Sequence, residues 1–256
     1  MRHRLKLIIA YDGSSFAGWQ SQAHRNTIQD QLERAFEKIN GERVRIHAAG
    51  RTDSGVHAIA QCAHVDLINA RLEPLRWVAA LNSLLPPTIR ILRCRHVSSQ
   101  FHARFSAKGK LYRYRIWSGP VLPPLEFKRA WHVSSPLDFE LLQRTAQTFV
   151  GTHDFAAFAA NRGKPRSKES SSPQKSDTIR TIHFVRTRRS GQCITIDVDG
   201  DGFLYKMVRL MIGAAVECAL SKLTLQKIKA QLKSAGIHSA RFAAPAEGLF
   251  LVRVRY

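Results

Sequence analysis

Between two glycines five positions apart, the segment Ala49-Gly50-Arg51-Thr52-Asp53-Ser54-Gly55-Val56-His57-Ala58 sets one carboxylate beside one guanidinium. Strand-like stretches flank it on both sides, so Arg51 and Asp53 fall on a short loop. Glycine lets a backbone turn tightly or approach a ligand closely. Two readings fit such a loop. Asp-Ser-Gly is a common turn former. Alternatively, Asp53 is a carboxylate held for nucleophilic or general-base work. The residue types leave both open. His57, His102, Phe155 and Phe158 read as packing or loop residues, and no histidine base is needed if Asp53 does the chemistry.

Other candidate sites fail on their spacing. Asp197-Val-Asp199-Gly-Asp201-Gly202 imitates the opening of a calcium loop. Its twelfth position, which should be a bidentate Glu, is Val208, and Lys206 would repel the ion. Gly200-Asp-Gly202-Phe-Leu-Tyr205 lacks the third glycine of a dinucleotide fingerprint, and no P-loop is present. The pair His153-Asp154 needs distant partners to hold a metal. The expectation is a chemistry with no metal and no cofactor.

The elements that position the loop can be read from periodicity. Residues 4–11 alternate, with Leu5, Leu7, Ile9 and Tyr11 on one face and Arg4 and Lys6 on the other, which predicts a half-buried strand. Residues 27–40 predict a helix: Thr27 caps it, Asp30 sits in its first turn, Ile28, Leu32, Phe36 and Ile39 form a stripe, and Gly41 ends it. Ile59–Leu67, 111–117, Cys193–Val198 and Phe250–Tyr256 read as further strands. Tyr112 and Tyr114 then share a face opposite Arg113 and Arg115. Residues 138–150, closed by Gly151, 203–220 and 224–234, capped by Thr224, read as helices. Strands and helices mix without regular alternation, which favours α+β with a mixed sheet. Ile9–Phe16 and Ile196–Phe203 share the pattern IxxDGxxF, which suggests two similar halves with a boundary near residue 104.

The charge narrows the partner. Lys plus Arg is 40 and Asp plus Glu is 19 in 256 residues, a net +21. Such a surplus repels itself unless a polyanion is the usual partner. Nucleic acid is the favoured partner and an anionic membrane surface the alternative. Residues 161–178 form a Ser-, Lys- and Arg-rich insertion in which Arg162, Lys164, Arg166 and Lys168 alternate with small or polar residues. It is either a solvated surface insertion or an arm that grips phosphates. No apolar run is long enough for a membrane span. The basic start precedes only five apolar residues, Leu7 to Tyr11, so the protein is expected to be soluble and not exported. Cys62, Cys94, Cys193 and Cys218 match neither a zinc site nor a disulfide framework and are expected to remain thiols.

Several ordered motifs together carry a resemblance. AGRTDSGVHA (49–58), YDGSSFAGWQSQ (11–22), FHARFSA (101–107) followed by YRYRI (112–116), GTHDFAAF (151–158), GFLYKMVRLMIG (202–213) and APAEGLFLVRVRY (244–256) resemble, in order, the motifs of the TruA family of tRNA pseudouridine synthases. Ser54 stands where the family usually has Ala, Lys206 where it often has His, and Leu210 where it often has Asn. The resemblance implies an isomerase (an intramolecular transferase) that converts uridine to pseudouridine in the anticodon stem-loop of tRNA, at positions 38 to 40, without a cofactor. It implies an α+β fold of two similar, ferredoxin-like α/β halves sharing a mixed, mainly antiparallel sheet with a central RNA-binding cleft. The halves would be residues 1–104, carrying the aspartate loop, and 105–256, carrying the basic insertion. It implies Asp53 as the nucleophile or base, Arg209 as the cation that holds it, Tyr112 stacked on the uracil, and Arg51 as the residue guiding base flipping. It further implies a cytoplasmic homodimer with tRNA as partner and with no metal or membrane.

Two other classes compete. A non-catalytic RNA-binding protein could keep the fold and the charge, but an intact Arg51, Asp53, Tyr112 and Arg209 set argues against it. A nucleoside or glycoside hydrolase also attacks an anomeric carbon, yet such enzymes commonly use two carboxylates, and this loop supplies one. Release of free uracil from RNA separates the hydrolase from the synthase.

Overall fold

The computed structural model describes residues 3–23, 26–68, 72–160, 178–233, 240 and 242–256. It is α+β with mixed strand pairing and, among the described residues, five α-helices. The chain divides into two compact units, Met1–Arg113 with Phe127–Ala130 and Ala246–Tyr256, and Tyr114–Glu126 with Trp131–Pro245.

In the first unit, β1 (His3–Tyr11) pairs antiparallel with both β3 (His57–Leu67) and β4 (Ile89–Val97). Strand β2 (Ile46–Ala48) lies antiparallel to β3, and the last strand, β10 (Leu249–Arg255), lies parallel to it. The period-two pattern of β1 puts Leu5, Leu7 and Ile9 in the core, with no exposure. Helix α1 (Ile28–Asn40) adds Ile28, Leu32 and Phe36 to that core. Each such side chain contributes about 1.5–3 kcal/mol by leaving water. Phe36 meets Trp77 of helix α2 (Pro74–Leu84) with ring centroids 5.1 Å apart. As the sequence predicts, Thr27 caps α1 by accepting from the Asp30 N–H, and Gly41 ends it at φ 77°.

The second unit begins within β5 (Gly109–Ser118), whose end runs parallel to β6 (Trp131–Val133). Strands β7 (Gly151–Asp154), β8 (Ile179–Ser190) and β9 (Cys193–Gly200) pair antiparallel in that order. Helix α3 (Phe139–Gln147) is capped by Asp138, α4 (Met207–Ala219) is almost entirely buried, and α5 (Leu225–Lys233) starts at Thr224, whose hydroxyl accepts from the Lys227 N–H. All four cysteines are free thiols. Among the described residues no helix is long and apolar enough to cross a membrane.

The structure departs from the sequence expectations at several points. The helix expected over 138–150 stops at Gln147, because the N–H groups of Thr148, Phe149 and Val150 bond back three residues instead of four, and Gly151 opens β7 instead of closing the helix. The helix expected from 203 starts at Met207, after Lys206 takes a left-handed backbone at φ 59°. Lys6, expected on the solvated face of β1, is only 7% exposed. Its ammonium lies 3.7 Å from the Tyr256 ring centroid and 4.7 Å from that of Phe101, an arrangement in which the ring faces take the place of water.

Candidate active site

The aspartate loop connects β2 to β3 inside the first unit. At its entry the Ala49 N–H donates to the Cys62 carbonyl, and the fully buried Gln61 donates from Nε2 to the Gly50 carbonyl at 2.8 Å. Asp53, Ser54, Gly55 and Val56 then make a turn closed by the Val56 N–H on the Asp53 carbonyl at 3.2 Å, with Gly55 at φ 79° in the third position. That positive φ is what the turn demands and what glycine provides without strain. Asp53 is half-buried, Thr52 before it is buried, and Arg51 is exposed. The turn reading of Asp-Ser-Gly therefore holds, and the turn carries Asp53 half-buried in its first position.

A second loop, residues 12–22, walls the first. The Trp19 N–H donates to the Thr52 carbonyl at 3.0 Å, and the Ser54 hydroxyl donates to the Phe16 carbonyl at 3.1 Å. The Tyr11 hydroxyl and the Thr52 hydroxyl are 2.8 Å apart. A Cβ on Gly18 would sit 2.7 Å from the Thr52 carbonyl oxygen, and one on Gly13 would sit 2.0 Å from that of Val56, so neither position has room for a side chain. The same loop is tied to α1: the carbonyls of Gly18 and Trp19 accept from the N–H groups of Ile28 and Gln29, which a helix start leaves without intrahelical partners. The aspartate turn is thus held by a loop that is itself fixed to a capped helix.

Tyr112, on β5, joins Asp53 in this unit. It is 8% exposed, and burial drives its hydroxyl pKa well above the ordinary tyrosine value, with the Asp53 charge adding to the effect. The Asp53 carboxylate is therefore within electrostatic reach of the Tyr112 hydroxyl. Tyr11 is pushed up to about 12, chiefly by burial. Both phenols stay protonated at neutral pH and can donate a hydrogen bond but cannot act as bases.

Residues 7–106 and 145–256 match the family described as tRNA pseudouridine synthase. Over 257 aligned residues the chain is 45% identical to the tRNA pseudouridine synthase A of Akkermansia muciniphila, covering 99% of this chain and 95% of that protein. It is 41% identical to that of Acetivibrio thermocellus over 98% of this chain and 99% of the relative, and 39% identical to that of Methylacidiphilum infernorum over 98% and 94%. The chain belongs to the tRNA pseudouridine synthase family. Asp53, Arg51 and Arg209 fall in the stretches that the family matches, and Tyr112 lies between them.

Arg209 is in the second unit, in the first turn of α4, and is half-buried as its apolar neighbours Met207, Val208 and Met211 predict. Its Nε donates to the Ala244 carbonyl at 2.7 Å, and its own carbonyl accepts from the Ala244 N–H. Arg162, Lys164, Arg166 and Lys168 lie outside the described residues. Sequence reasoning did not single out Tyr11, Thr52, Gln61 or Gly18 as supports of the site. For Tyr11 and Gly18 the signal available was the YDGSSFAGWQ motif: its two glycines mark close backbone approach, and its aspartate opens the loop.

Proposed function

We infer that this chain is a tRNA pseudouridine synthase, an isomerase that converts uridine to pseudouridine in the anticodon stem-loop of tRNA. The observation that carries the reading is the aspartate loop, complete from Ala49 to Ala58 and held rigidly by its neighbours, in a chain whose whole length matches enzymes of this name. The reaction breaks the bond between N1 of uracil and C1′ of ribose and forms a bond from C5 to C1′. The proton on C5 leaves and N1 gains one, so no oxidant, reductant or energy source is consumed.

Asp53 acts at the ribose, as a nucleophile or as a base. Arg209 is assigned to hold the ionised carboxylate, on the strength of the family motif around it. Tyr112 is assigned to pack its ring on the uracil, and Arg51, exposed beside Asp53, to guide the base out of the stem. The net charge of +21 supports tRNA as the partner. The family resemblance extends the proposal to positions 38 to 40, to a homodimer and to the cytoplasm.

The test is to map pseudouridine in tRNA incubated with wild-type and Asp53→Asn protein. Wild type is expected to modify the anticodon stem-loop without releasing free uracil. Asp53→Asn keeps the shape and loses the charge, so it should bind tRNA and form no product. A rate above a few per cent of wild type in the variant would remove Asp53 from the chemistry. Release of free uracil would make the protein a hydrolase.

A further inference from the structure

We propose that His57 is a positioning residue for Asp53: its buried imidazole, hydrogen-bonded at both nitrogens, pins the glycine loop that walls the aspartate turn. The proposal rests on the synthase reading above. His57 is 2% exposed and lies four residues after Asp53, at the start of β3. Its Nδ1 accepts from the Gly13 N–H at 3.1 Å. An atom that accepts from an N–H carries no proton, so the neutral ring must hold its proton on Nε2. Nε2 faces two backbone carbonyls, Lys128 at 2.9 Å and Glu247 at 3.1 Å, and donates to them. The ring stacks on Phe250, with centroids 4.6 Å apart and planes 17° from parallel. One side chain therefore ties together the loop after β1, the exit of the aspartate turn, the 127–130 segment and the start of β10.

The consequence for Asp53 follows from the contact at Gly13. That residue lies against the Val56 carbonyl so closely that a Cβ there would be 2.0 Å away. Val56 closes the turn that begins at Asp53. Holding Gly13 by its N–H thus holds the turn from outside. A carboxylate that must meet C1′ tolerates little displacement, since an error of about 1 Å from a remote change can cost about 100-fold in rate.

The charged groups facing the imidazole are Asp12, whose Oδ1 is 3.3 Å from Nδ1, and Arg129, which bonds the other Asp12 oxygen at 3.2 Å. Lys128 and Glu247 present their carbonyls to it. Burial holds the His57 pKa below the ordinary 6.5, with Arg129 adding a smaller push the same way, against the opposing pull of Asp12 and the two carbonyls. Protonation would put a hydrogen on Nδ1, exchange the Gly13 contact for an ion pair with Asp12, and release the loop. The anchoring is accordingly complete above pH 6.5 and is lost as pH falls from there through the folded-state pKa.

The experiment measures single-turnover pseudouridine formation, tRNA affinity and thermal midpoint for wild type, His57→Ala and His57→Asn across pH 5 to 8. An asparagine Oδ1 can accept from Gly13 N–H but does not titrate. His57→Ala is expected to lower the rate constant about 10- to 100-fold, with tRNA Kd changed less than about threefold. His57→Asn is expected to recover most of the rate at pH 7.5 and to lack the acid limb that His57 gives wild type. If His57→Ala does not fold, His57→Asn decides the matter through the pH profile. A His57→Asn profile that superimposes on wild type, or a His57→Ala rate within about twofold of it, overturns the proposal. Failure of wild type to make pseudouridine would overturn the synthase reading itself, a separate outcome.

Discussion

At Tyr112 the proposed stacking role belongs to the ring, and substitution separates it from the hydroxyl. The hydroxyl is held protonated by burial and by the Asp53 charge, so it can hydrogen-bond but cannot serve as a base. The ring offers a face for a base, and base–aromatic stacking contributes about 1–3 kcal/mol. Tyr112→Ala should therefore slow single-turnover pseudouridine formation about 5- to 150-fold, while Tyr112→Phe stays close to wild type. Equal and severe losses in both would assign the task to the hydroxyl. From sequence alone, without the family resemblance, the residue reads rather as a core aromatic, since Tyr114 shares its face; in the structure Tyr114 is fully buried. Tyr112 is itself buried, at 8% exposure.

At the scale of elements, the site depends on two loops braced against α1, and glycine substitutions separate bracing from mere stability. Gly13→Ala would drive a Cβ into the Val56 carbonyl, a backbone atom that cannot swing aside. The turn must shift, so turnover should fall about 10- to 100-fold. Gly41→Ala meets nothing within 4 Å, but it places a side chain at φ 77°. It should cost about 1–2 kcal/mol in stability and leave turnover intact. Thermal melts and single-turnover rates on both variants check the contrast, and a Gly13→Ala enzyme of wild-type rate would show the loop to be dispensable. Long periodic elements with caps were legible in the sequence: β1 and α1 fall where alternation, Thr27 and Gly41 put them. Helix α2 was not legible, because it buries only Trp77 and Leu81 and so lacks a stripe. Strand β4 loses its alternation after Ile91, where Leu92 and Arg93 are both exposed. Lys6 was misplaced because period two places a side chain on a face but does not say what covers it; Phe101 and Tyr256 arrive from distant segments. The aspartate loop stands out by its motif, and the YDGSSFAGWQ motif marks the close approach of Gly13 and Gly18, whereas the hydrogen bonds that brace the loop join residues from separate segments and leave no local pattern.

Across the whole molecule the dominant feature is charge. A net +21 over 256 residues favours association with a polyanion, and each phosphate neutralised releases condensed counterions. The affinity for tRNA should then fall linearly on a log–log plot against salt, with a slope near −0.9 per phosphate contact on duplex and about −0.7 on single strands. The stretch holding Arg162, Lys164, Arg166 and Lys168 gathers four cations within seven residues and carries none of the proposed chemistry. If these residues touch the tRNA backbone, replacing all four with Ser should flatten the slope by up to about three units. Turnover at saturating tRNA should stay near wild type, because phosphate contacts position the substrate and the chemistry is proposed for Asp53. The thermal midpoint should also hold, since four polar-for-charged exchanges in a Ser- and Lys-rich stretch remove little apolar burial. Titrations at several salt concentrations separate the alternatives: an unchanged slope in the quadruple variant would make the segment a solvated insertion and leave the phosphate contacts to cations elsewhere in the chain.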